Sequence, residues 1–181
     1  MPLVGRLMNT IMASMPPTLG KRISQAHKEE LLDYMAKHPE SFSEAIEMMM
    51  SGDPKIAWRA AGLIVDLMED NDIRLRPYIH PILRKLPTGN ASEQREWLRL
   101  LLHMDIPENL EGQLVDECIR IWIATEKRPG LRYYALKNLI RIAHGYPDLK
   151  PELKSLTEAH FLDKLSPGVR RSIERLVREY L

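Results

Sequence analysis

One pattern recurs along this chain, and a recurring pattern restricts the fold more than any single motif. Trp58-Arg59-Ala60-Ala61-Gly62-Leu63-Ile64-Val65-Asp66-Leu67 aligns with Tyr133-Tyr134-Ala135-Leu136-Lys137-Asn138-Leu139-Ile140-Arg141-Ile142, with aromatic, small and aliphatic positions in register. Between them, Glu96-Trp97-Leu98-Arg99-Leu100-Leu101-Leu102-His103-Met104 repeats the apolar positions. It lies about 37 residues from each neighbour, a period suited to two-helix repeats. Leu75-Arg76-Pro77-Tyr78-Ile79 and Leu149-Lys150-Pro151-Glu152-Leu153 each place a proline at the start of the second helix of a pair. A weaker copy spans Glu30 to Met50. A single helical pair cannot bury both of its apolar faces, whereas a stack of pairs buries a continuous core. The expectation is an all-α, right-handed α-α superhelix of about four hairpins.

Local signals agree. Ile56, Ala60, Leu63, Ile64 and Leu67 share one helical face, as do Leu114, Cys118, Ile121 and Trp122, and Val169, Ile173, Leu176, Val177 and Tyr180. Asp53-Pro54 and Ser166-Pro167 read as caps followed by a first-turn proline, and Gly145 before Tyr146-Pro147 reads as a stop. Ser41 with Glu44, and Asn90 with Glu93, have capping-box spacing. The spacing predicts helices over 4–15, 25–37, 42–51, 54–68, 76–86, 91–104, 111–125, 129–144, 151–160 and 167–180. Leu63, Ile64, Trp97, Leu101, Cys118, Leu139 and Ile173 form the expected core.

Lys55-Ile56-Ala57-Trp58-Arg59-Ala60-Ala61, Leu75-Arg76-Pro77-Tyr78-Ile79 and Pro167-Gly168-Val169-Arg170-Arg171 resemble a group of small bacterial helical-repeat proteins of the HEAT-like or ARM type. Members of that group often carry the label adenylosuccinate lyase. The resemblance implies a solenoid of helical hairpins over roughly residues 25–181. The serine-rich signature loop of the lyases has no counterpart in this sequence, so the resemblance implies fold and no cleavage chemistry.

Residues 21–181 are therefore expected to form the repeat domain, with residues 1–20 as an amphipathic segment or tail. Val4, Leu7, Met8, Ile11, Met12 and Met15 have helical spacing, and Arg6, Asn9 and Thr10 interrupt any secretory apolar run. No stretch is long and apolar enough to predict membrane insertion. A lone cysteine, Cys118, allows no intrachain disulfide and suits a cytoplasmic setting.

No complete reaction centre emerges. The six histidines include no pair at the i,i+4 spacing of a helical zinc site, no glycine-rich phosphate loop is present, and Cys118 sits on an apolar stripe. No metal or cofactor is expected. Trp122 and Glu126 are spaced like an aromatic and a carboxylate that read a modified base, as in glycosylases of similar fold, although helical cores claim most tryptophans.

Charge is uneven. Residues 127–181 carry 12 basic and 6 acidic side chains, a net of +6, whereas residues 1–126 carry 14 and 19, a net of −5. The first expectation is a non-catalytic protein-binding scaffold that uses second-helix residues His80, Arg84, Arg120 and Lys154. A basic patch is expected on the final helix at Arg171, Arg175 and Arg178, with Glu174 paired to Arg178. The alternative partner is nucleic acid, drawn to the basic C-terminal part.

Overall fold

The computed structural model describes residues 18–180, and all of its regular structure is helical. The expected helix over 4–15 and most of the expected segment over 1–20 lie outside the described residues. The helices are α1 (Leu19–Arg22), α2 (Lys28–Lys37), α3 (Ser41–Ser51), α4 (Ala57–Leu67), α5 (Ile79–Lys85) and α6 (Ala91–Leu102). They continue with α7 (Glu108–Ile123), α8 (Pro129–Ala143), α9 (Lys150–Ser155), α10 (Ala159–Leu162) and α11 (Pro167–Tyr180). Short 3-10 turns, Arg76–Tyr78 and Pro147–Leu149, lead into α5 and α9. The chain divides into two compact units within α4, between Leu63 and Ile64.

In the first unit α1 packs on α2 and α3, and Leu19, Ile23, Leu31, Phe42, Ile46 and Met49 fill the interior. The predicted capping box at Ser41 and Glu44 does not form. The Glu44 carboxylate instead accepts from the backbone N–H groups of Leu19 and Gly20, at 3.1 and 2.8 Å. It thereby satisfies two first-turn donors of α1 that have no partner within that helix. The Ser41 hydroxyl turns back to the His38 carbonyl. Helix α3 ends at Gly52, whose φ of 79° suits glycine. The Asp53 carboxylate then takes the Lys55 N–H, closing a turn that delays α4 to Ala57 rather than 54. Trp58, beside this helix's apolar stripe, is 37% exposed.

In the second unit α8 is the central element, packing on α6, α7, α9 and α11. Pro129 opens it, and Gly145 closes it by donating to the Ile142 carbonyl. Asn90 and Glu93 form the predicted capping box of α6, at 2.9–3.1 Å. Trp97, Leu101, Cys118, Leu139 and Ile173 are all buried, as the periodicity predicts, and so are Leu63 and Ile64 in α4. The predicted helix over 151–160 is two short helices, because Ser155 and Thr157 hydroxyls bond back to the Glu152 and Lys154 carbonyls. In α11 only Ile173 is fully buried, and Tyr180 is exposed.

Side chains join the helices of this unit by donating to backbone carbonyls. Asn138 donates to Leu98 O, Arg141 to Met104 O, and the Trp122 indole to Leu156 O. Arg132 is wholly buried. Its Nε donates to Trp122 O at 2.9 Å, its Nη2 to Phe161 O at 2.6 Å, and its guanidinium covers the Trp122 ring at 4.6 Å. Burial pulls its pKa below the ordinary arginine value.

Candidate functional site

A cleft of about 470 Å³ in the second unit is lined by residues of α6, α8 and α11. Arg99, Leu102 and His103 come from α6 and its C-cap. Tyr134, Lys137, Ile140, Arg141 and His144 come from α8 and its end, and Leu176 and Tyr180 from α11. The α8 contributors follow the helical repeat at 134, 137, 141 and 144, on the face turned away from the apolar stripe. No carboxylate stands among these lining residues.

The cations of the cleft differ in how they are held. Arg99 lies 2.5 Å from Glu96 and 3.2 Å from Asp66, with its guanidinium 5.9 Å from the Tyr134 ring. Burial works against its charge, but Glu96, Tyr134 and Asp66 outweigh that and hold its pKa above the ordinary value. His103 Nδ1 lies 2.7 Å from an Asp70 carboxylate oxygen. The loop that carries Asp70 is fixed by Asn71, whose N–H donates to His103 O and whose side-chain amide donates to Asp105. Asn71 takes a positive φ of 54°, which asparagine tolerates.

Lys137 and Arg141 have no ion-pair partner among the described residues. Lys137 Nζ lies 5.7 Å from the Tyr133 ring. Arg141 Nη1 donates to Met104 O at 3.0 Å, but its Nε and Nη2 are shielded from solvent and make no hydrogen bond. Burial depresses its pKa, and Glu111 and Asp105 offset this only in part. His144 stacks obliquely on Tyr180, ring centroids 5.0 Å apart, at the α11 side.

The residues singled out from sequence lie elsewhere. His80 and Arg84 are exposed one turn apart on α5, Arg120 on α7 is tied to Glu117 at 2.5 Å, and Lys154 is exposed on α9. None of the four lines the cleft. Arg171, Arg175 and Arg178 are exposed on α11, but Glu174 pairs with Arg170 at 3.0 Å rather than with Arg178. Arg171 Nε donates to Pro167 O, and Arg178 borders a second, more apolar cleft with Leu162, Ile173 and Val177. The signal that would have found the first cleft is the polar stripe of α8, together with acid–base partners 33 residues apart at Asp66 with Arg99 and Asp70 with His103.

The candidate chemistry at Trp122 and Glu126 does not assemble. Trp122 is fully buried, with its indole N–H committed to Leu156 O and its ring covered by Arg132, while Glu126 is exposed. Cys118 is buried, and burial pushes its thiol pKa far up, which keeps it protonated and unreactive. No group of three or more potential metal ligands occurs among the described residues, and no described helix is long and apolar enough to cross a membrane.

A family model, the HEAT repeat domain, matches residues 15–180. The chain belongs to the HEAT repeat domain family. Comparisons with curated proteins and with solved structures found no match. The family accounts for the all-helical architecture.

Proposed function

We propose that this HEAT repeat protein is a non-catalytic binding module that receives an acidic segment of a partner protein in the cleft formed by α6, α8 and α11. The observation that carries this reading is the pair Lys137 and Arg141, cations one helical turn apart that make no ion pair among the described residues and line a cleft without lining carboxylates. Arg99, held by Glu96 and Asp66, and His103, held against Asp70, form one fixed wall. Leu102, Ile140 and Leu176 supply apolar contact between the charges. Such a site favours partner choice and rapid encounter through charge complementarity.

The test is binding of a Glu-rich peptide pool to the wild-type chain, Lys137→Glu and Arg84→Glu. The expected outcome is a loss of roughly tenfold or more for Lys137→Glu, about 1.4 kcal/mol, and little change for Arg84→Glu on α5. Equal losses for the two variants would remove the cleft from the account. A second reading, nucleic acid, is supported by the net +6 of residues 127–181 and by the tyrosines at the cleft. It predicts affinity that falls steeply with salt for single-stranded oligonucleotides. The non-catalytic assignment predicts no turnover of adenylosuccinate and no release of base from alkylated DNA.

A further inference from the structure

We infer that the anionic group this cleft is built to take is a phosphoryl group on a side chain of the partner protein, seated between Lys137 and Arg141. The inference rests on the binding reading above and sharpens it. Of the five basic side chains lining the cleft, Arg99 and His103 already face carboxylates, and His144 packs on Tyr180. Lys137 and Arg141, the latter offset only in part by Glu111 and Asp105, therefore carry the charge left for a ligand. A single carboxylate would balance one of them. A phosphomonoester carries about −1.5 to −2 at neutral pH and offers three strong acceptor oxygens, which matches both.

The hydrogen-bond geometry makes the same choice. Arg141 Nη1 is committed to Met104 O, whereas Nε and Nη2, the two donors of one guanidinium edge, are unpaired. That edge suits an oxyanion taken through two parallel N–H bonds. A buried cationic edge without acceptors is a cost to the free protein that a ligand oxyanion removes. The edge is covered in the free protein, so the ligand must draw the guanidinium toward the cleft. Lys137, one turn earlier on α8, supplies the second charge as a mobile point donor. Leu102, Ile140 and Tyr180 then flank the carbon skeleton that bears the phosphoryl group.

The test is a set of titrations of the full chain followed through the amide shifts of residues 134–144. Phenyl phosphate should bind at least tenfold tighter than benzoate, and Lys137→Gln and Arg141→Lys should each weaken it at least fivefold. Arg84→Gln, on an exposed face of α5, should leave it unchanged. A pool of tyrosine-phosphorylated peptides should bind more tightly than phenyl phosphate, since a partner protein is the proposed source. Free phosphate or phenyl phosphate binding as tightly as the pool would overturn that source. Equal affinity for phenyl phosphate and benzoate, both weakened by Lys137→Gln, would overturn phosphoryl selectivity while leaving the acidic-segment reading intact. Shifts absent from 134–144, or insensitive to Lys137→Gln, would overturn both.

Discussion

Arg132 is the residue whose replacement most sharply tests how the second unit is held together. Its guanidinium is wholly buried and bridges two carbonyls, Trp122 O near the end of α7 and Phe161 O in α10. Replacement by Met keeps much of the volume and removes every donor. Each hydrogen bond from a charged donor contributes about 1.5–3 kcal/mol, and the contact with the Trp122 ring adds up to about 2 kcal/mol. Against this stands the cost of burying the cation, visible in its depressed pKa and in Nη1, which has no acceptor. That penalty is several kcal/mol and offsets a large part of the gain. Because the two carbonyl bonds, one buried and one partly buried, lose their donor, the net cost of Arg132→Met should be about 2–4 kcal/mol. In a chain of this size that lowers the melting temperature by about 4–16 °C. Urea titration of wild type, Arg132→Met and Arg132→Lys checks it, with the lysine variant intermediate because one ammonium cannot serve both carbonyls. An Arg132→Met variant within about 0.5 kcal/mol of wild type, or more stable, would refute the reasoning, since burial of the cation would then outweigh its bridges.

Other consequences are equally specific. Gly89→Ala would place a Cβ 2.4 Å from the buried Trp97 ring, and should cost about 1–3 kcal/mol in thermal melts with a change in tryptophan emission. Leu101→Ala should cost about 2–5 kcal/mol, and a cost near zero in urea melts would mean that α6 turns a different face inward. The Arg74 guanidinium holds the Asp72 carboxyl below its ordinary value of 3.8. A lowered folded-state pKa stabilises the protein above the unfolded value and is lost as pH falls through the folded one. Asp72→Asn should therefore be less stable than wild type at pH 7, and the gap should close toward pH 3; a gap independent of pH would contradict the pairing.

Much of this architecture is legible in the sequence because local chemistry and apolar period agree. Pro167 opens α11 where a first-turn proline predicts, and Asn90 with Glu93 caps α6. Departures occur where a side chain is claimed by something distant in sequence. Glu44 has the right spacing to cap its own helix, yet serves α1, 24 and 25 residues earlier. The segment 151–160 reads as one helix but breaks where hydroxyls compete for carbonyls and the Trp122 indole takes Leu156 O. The cleft was illegible for a related reason. Periodicity marks the face a helix buries, whereas Lys137 and Arg141 lie on the opposite face, where a polar stripe looks like ordinary solvated surface. Only tertiary packing brings Tyr134 and Lys137 together with Arg99 and Tyr180 and leaves Arg141 short of acceptors.

The central claim, recognition through the cleft of α6, α8 and α11, is tested most directly by mapping where a ligand touches the protein. Isotope-labelled full-length chain, titrated with a Glu-rich or phosphotyrosine peptide, reports contact residue by residue through amide shifts. The account predicts perturbations gathered at 99–103, 134–144 and 176–180. Perturbations gathered instead around His80, Arg84, Arg120 and Lys154 would place recognition on the second helices and contradict it.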